Sequence, residues 1–159
     1  MKISIIAVGK IKDGYLRDGI SEYKKRLKRF CDLEIIEIQD EQAPENLSVA
    51  DEVLVKNKEA ERVLKRIKSG SKVIVLDVKG SPVSSEGLAN RLKSFFVEGN
   101  SSIIFIIGGS LGLGEELVKR ADSRISFSKL TFPHQLIRLI LVEQIYRAFK
   151  IISGEVYHK

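Results

Sequence analysis

The sequence lacks the residues that would staple or anchor it. A single cysteine, Cys31, cannot form an intramolecular disulfide, and no Cys or His lies near it at zinc-ligand spacing. A reduced, cytoplasmic setting is the default expectation for such a chain, with stability coming from the core itself. Long apolar runs are missing as well. Lys2 is followed by only six apolar or small residues before Gly9, and the run from Ile103 to Ile107 is far too short to span a bilayer. Neither a signal peptide nor a membrane helix is expected. Repeats, linkers and low-complexity segments are also absent, so residues 1–159 are expected to form one domain.

Nucleotide-binding signatures are incomplete. Gly109 and Gly114 have P-loop spacing, but Glu115 and Glu116 follow where Lys and Ser/Thr are required, and two carboxylates would repel phosphate. A G-x-G-x-x-G reading fails because Leu117 stands at the third glycine. A triphosphate is disfavoured and a dinucleotide poorly supported; a cationic or neutral ligand suits the loop better.

What is present centres on residues 102–116. Ile103, Ile104, Phe105, Ile106 and Ile107 have the look of a strand buried on both faces of a parallel sheet. The strand runs into Gly108, Gly109, Gly112 and Gly114, four glycines in seven residues, which let backbone approach a ligand. A plain strand-to-helix turn is the simpler alternative.

Elsewhere strands and helices alternate. Strands are expected at Ile3 to Val8, Leu33 to Ile38, Lys72 to Asp77 and Arg124 to Phe127. Helices are expected at Asp13 to Phe30, Val49 to Lys68, from Ser84 or Ser85 to Gly99, Glu115 to Ala121 and Gln135 to Ser153. Residues 79–84 read as a loop. The pattern predicts an α/β fold with a mainly parallel sheet and helices on both faces. The first helix ends with five cations in six residues, Lys24 to Arg29, either a solvated, dipole-complementing turn or a phosphate-contacting patch. The whole chain carries 27 basic against 21 acidic residues, a net +6, which favours a polyanionic partner. In the last helix Leu139, Ile140 and Ile151 lie outside the main apolar arc. That helix is therefore either sandwiched inside the domain or faces a second subunit, and a homodimer is the expectation.

The run IIFIIGGSLGLG, the segment SFSKLTFPHQLIRLILVEQIYRAF and the ending VYHK together resemble the SPOUT-class rRNA methyltransferases. The likeness is to the small single-domain family that methylates N3 of a pseudouridine in 23S rRNA. It covers the opening ISIIAVGK and the central VIVLDVKG too. The resemblance implies a trefoil-knotted domain, a homodimer, S-adenosylmethionine as methyl donor with no metal, and 23S rRNA or the ribosome as partner. A scaffold of the same kind that binds RNA without catalysis is the alternative. By position, cofactor contacts would fall on Leu76, Gly108, Phe127, Ser128, Lys129, Leu130, Thr131 and Phe132. His134, Tyr157 and His158 would carry catalysis. Lys159 stands where Arg is expected, keeping the charge without the bidentate fork. Arg138 and Arg147 would meet phosphate or pair with Glu143 across a subunit seam.

Overall fold

The computed structural model describes residues 1–157; His158 and Lys159, two of the proposed tail residues, lie outside them. Five parallel strands, β1 (Lys2–Val8), β2 (Asp32–Ile38), β3 (Lys72–Pro82), β4 (Ser102–Ile107) and β5 (Ser123–Ser126), form one sheet in the order β2-β1-β4-β3-β5. Helices α1 (Gly14–Leu27), α3 (Ser85–Val97) and α5 (Leu136–Ile152) contribute to the core on one face. α2 (Val49–Leu64) and α4 (Glu115–Arg120) contribute to the core on the other.

The unbroken apolar strands resolve into two sets. Ile3, Ile5, Ile103, Phe105 and Ile107 join the first core, while Ile6, Val8, Ile104, Ile106, Val73 and Val75 join the second. Successive side chains of a strand point to opposite faces, so only a sheet covered on both sides needs apolar residues at every position. Ser48 supplies a full capping box to α2, its side chain accepting from Asp51 N at 3.1 Å while Asp51 accepts from Ser48 N at 3.2 Å.

Helix α5 packs between α1 and α3. This accounts for two of the three apolar residues off its main arc. A Cβ on Gly19 of α1 would stand 3.0 Å from the methyls of Leu139, and Ile151 also packs on the core of its own chain. Leu139 and Ile151 thus pack in part against their own chain, and both, like Ile140, stay half-buried on α5.

β3 is the other departure. Strand β3 runs on through residues 79–82 rather than ending in a loop there: Ile125 aligns first with Leu76 and again with Ser81, and Ser126 with Pro82. The intervening residues bulge out of the ladder, and a bulge re-aims the side chains it carries. The crossing is tight: a Cβ on Gly80 would lie 2.5 Å from the carbonyl carbon of Ile125 and 2.7 Å from its oxygen. Backbone on both sides leaves no flexible group to yield. Gly80→Ala is expected to lower stability by at least ~2 kcal/mol. A chemical denaturation midpoint equal to that of the unsubstituted protein would show that the β3–β5 crossing can open without cost.

Candidate active site

In a parallel sheet of this kind, ligands collect beyond the carboxyl ends of the strands. Here those ends are roofed by the segment 127–135. It leaves β5 at one edge, passes β3 and β4, and is pinned beside β1: Lys12 N donates to Gln135 Oε1 at 2.9 Å. That is three strand spacings, ~14 Å. Beneath the roof lies a cavity of about 680 Å³. Its walls come from the end of β3 with the bulge (Leu76, Asp77, Val78), the end of β4 with the glycine loop (Ile107 to Leu113), and the roof itself.

Of the residues expected to hold the cofactor, Leu76, Gly108, Phe127, Ser128, Leu130, Thr131 and Phe132 line this cavity; Lys129 is exposed and does not. His134 lines it as well, at the base of α5, where Ile137 N donates to Pro133 O at 3.0 Å and opens the helix. Tyr157 does not. Its ring packs edge-on against Tyr146 at 4.9 Å, its hydroxyl donates to Glu143 Oε1 at 3.1 Å, and the Arg147 guanidinium lies 4.8 Å from its ring centre. Burial, followed by its hydrogen bond with Tyr23, raises the Tyr157 pKa, so the phenol stays protonated. Tyr146 is nine residues beyond Ile137, which touches the cavity, or ~14 Å along the helix.

Asp77, Val78, Ser110, Leu111 and Leu113 are wall residues that the sequence reading passed over. Asp77 had a signal in KVIVLD, a carboxylate at the end of a buried strand. It takes two hydrogen bonds from Arg124, at 2.6 and 3.0 Å. Among the described residues no Lys or Arg lines the cavity, so its walls offer no cation to a polyphosphate.

The glycines serve packing as well as access. Gly109 and Gly112 form a small bridge that folds the loop back on itself, and a Cβ on Gly108 would meet Gly112 O at 2.9 Å. One on Gly109 would meet Glu59 Oε2 at 2.9 Å, and one on Gly114 would meet Ala60 Cβ at 2.8 Å. The loop therefore lies flat on α2, leaving its outer surface to the cavity.

Arg138 is placed differently from either expectation. It is fully buried, with Nη2 donating to Val8 O and Gly9 O at 2.9 Å each, and Nη1 to Glu37 Oε1 at 3.1 Å. It meets neither phosphate nor Glu143. A guanidinium that deep must be paired, and the carbonyls at the end of β1 together with Glu37 do so. Arg147 pairs with Glu143 within its own chain at 2.6 Å, one helical turn away.

The arrangement defines a single-sheet α/β protein with a small-molecule cavity at the strand ends, roofed by the segment that leads into its last helix. The sequence comparisons narrow that class. A family model described as "Predicted SPOUT methyltransferase" matches residues 1–158. Proteins named ribosomal RNA large subunit methyltransferase H align over the full length of both chains. The one from Alkaliphilus oremlandii is 62% identical, that from Acetivibrio thermocellus 61%, and that from Clostridioides difficile 58%. The chain belongs to the SPOUT methyltransferase family, whose members use S-adenosylmethionine and share the trefoil-knotted form of this fold. Connection rules drawn from ordinary folds exclude such a knot, so periodicity alone could not have supplied it.

Glu59, 6% exposed beneath the glycine loop, supplies a test of the packing. Burial pushes its carboxyl above the usual carboxylate range, against the opposing hydrogen bond from Glu41 N at 3.1 Å. The charged form is thus disfavoured in the folded state. That cost is absent where folded and unfolded forms are both protonated, and it grows as pH rises through the raised folded value. Glu59→Gln should raise the melting temperature by about 2–4 °C at pH 8, with the gain shrinking in acid. A shift of equal size at pH 4 and pH 8 would assign the effect to packing instead of charge.

Proposed function

We propose that the protein transfers a methyl group from S-adenosylmethionine to N3 of a pseudouridine in 23S rRNA, on the assembled ribosome, as a cytoplasmic homodimer. One observation carries this reading. The cavity of a SPOUT-family chain is walled by the strand ends and loop that the resemblance assigns to the donor, with His134 on its rim. The names of its full-length relatives support ribosomal RNA as the substrate.

The donor supplies a methyl group on a sulfonium centre, and displacement by a nitrogen needs neither a metal nor a covalent enzyme intermediate. Leu76 and Phe132 offer apolar walls to the adenine faces, and the main chain at Gly108 and in the roof segment offers hydrogen bonds to its edge. The N3–H bond breaks as the N3–methyl bond forms, and the sulfur leaves as a neutral thioether. His134 is placed to accept that proton or to stabilise the anion. A catalytically inert RNA-binding protein has no observation in its favour, since the cavity and its histidine are intact. Calorimetric titration with S-adenosylmethionine tests the donor assignment. Mass spectrometry of nucleosides from ribosomes treated with the enzyme tests the product. No uptake of donor, or methylation at another atom, would overturn the reading.

The tail belongs to the same proposal. Tyr157 is held against its own α5, a helix stretch away from its own cavity. If α5 helices pack about a two-fold axis, using the side that carries Ile140, the residues after Tyr157 reach the partner's cavity. There His158 and Lys159 would complete the site. Removing His158 and Lys159 should spare donor binding and dimerisation but reduce methyl transfer by about a hundredfold or more. Mixing that deletion with Gly108→Val, which spoils the glycine loop, should restore part of the activity through one intact composite site. Verified heterodimers without recovery would return the tail to its own subunit's cavity.

A further inference from the structure

The turn after β1 is unusually well fixed for a surface segment. Besides Arg138 at Val8 O and Gly9 O, Ile11 N donates to Glu37 Oε1 at 3.0 Å, Lys12 N to Gln135 Oε1 at 2.9 Å, and Arg17 Nη2 to Lys12 O at 2.9 Å. Gly9 adopts φ +91°, and a Cβ on it would stand 3.8 Å from the His134 ring. The turn therefore presents Lys10 and Lys12, both exposed, beside the rim of the cavity.

From there a groove runs between α1 and the edge strand β2. Ile11, Ile20 and Ile35 form its floor, and Arg17, Ser21 and Lys24 line it along α1. Positions 17, 21, 24 and 28 share one helix face, so Lys28 continues the line, ~16 Å from Arg17. Neighbouring acids are already committed: Glu37 to Arg138, Glu34 to Lys2 and Glu22 to Arg26. None of the described residues forms an ion pair with Lys10, Lys12, Lys24 or Lys28. The strip sets five cations against Glu37, which lines the groove but is paired with Arg138, and against the exposed acids Asp13 and Asp18 beside it.

We propose that this strip, from Lys10 and Lys12 at the cavity rim along Arg17, Lys24 and Lys28, is a phosphate track holding the RNA strand that flanks the target nucleotide. Its charge and its continuity with the cavity fit a polyanionic strand whose modified base enters at His134. The two arginines of the terminal basic cluster are not part of it: Arg26 is engaged by Glu22 and Arg29 by Glu155. The proposal rests on the rRNA reading above and names the surface by which that substrate is gripped.

The test compares two charge-reversal pairs, Lys10→Glu with Lys12→Glu and Lys24→Glu with Lys28→Glu. The control pair, Lys65→Glu with Lys93→Glu, makes the same change in net charge on other exposed positions. Folding is checked by melting temperature and donor binding by calorimetry. Each track pair should raise KM for ribosomes at least tenfold with donor affinity unchanged. Each should also reduce the slope of log affinity against log salt by about 1–2, as for one or two lost phosphate contacts. The control pair should stay within twofold. Equal effects of track and control pairs would overturn the track, and loss of the dimer in sedimentation would reassign the face to a subunit seam. If the unsubstituted protein leaves ribosomes unmethylated, the substrate reading fails. Salt-dependent ribosome binding lost only in the track pairs would still uphold the surface.

Discussion

The buried guanidinium of Arg138 joins the two ends of the fold. It fastens the start of the last helix to the carbonyls that close the first strand, and Glu37 on the neighbouring strand balances its charge. Removing one partner of such a pair leaves an uncompensated charge in the interior, so the contact holds as a unit or not at all. Because α5 is tied at this point, the segment before it must cross the carboxyl edge of the sheet. That crossing makes the roof of the cavity and sets His134 against its rim. The same clamp stiffens the turn that carries Lys10 and Lys12, so the proposed donor cavity and the proposed substrate track share one anchor.

Close backbone packing shapes the rest of the site. Gly80 meets the Ile125 backbone, Gly108 meets Gly112, and Gly109 rests on the Glu59 carboxylate. These contacts draw the bulged end of β3 and the folded end of β4 into walls built largely of main chain and small apolar groups, with no Lys or Arg among them. Such a surface suits a donor that is neutral or cationic at its centre and repays no polyphosphate. The same observation alters the meaning of the glycine run: its first requirement is to lie flat against α2, and ligand access follows from that.

Much of this was legible in the residues. The order of strands and helices, the doubly buried β4 and the helix starts came from periodicity and capping signals, which act within a few residues of one another. Helices α1 and α2 end at Leu27 and Leu64, short of the expected Phe30 and Lys68. The likeness to a methyltransferase family pointed to seven residues that do line the cavity, and to His134. Three features escaped. Residues 79–82 carry Gly and Pro and read as a loop, yet β3 continues through them and pairs again with β5 at Ser81 and Pro82, past a bulge. Leu139 and Ile151 read as a subunit face, and α1 and α3, which flank α5, already cover part of each. Arg138 read as a phosphate contact or a seam partner of Glu143, although a helix position facing inward can carry a charge when distant carbonyls meet it.

By itself, then, the sequence determined an α/β domain with a covered parallel sheet, a glycine loop unsuited to triphosphates and the family to which the chain belongs. Each of these is written in local pattern or in motif. Only the tertiary structure decided which strand ends face each other, that the roof spans from β5 to β1, and that Arg138 is an internal anchor while Lys10 and Lys12 stand at the rim. Those outcomes depend on contacts between residues such as Glu37 and Arg138, 101 positions apart. Nothing in the spacing of either residue's neighbours records such a contact, because it is chosen by the packing of whole elements.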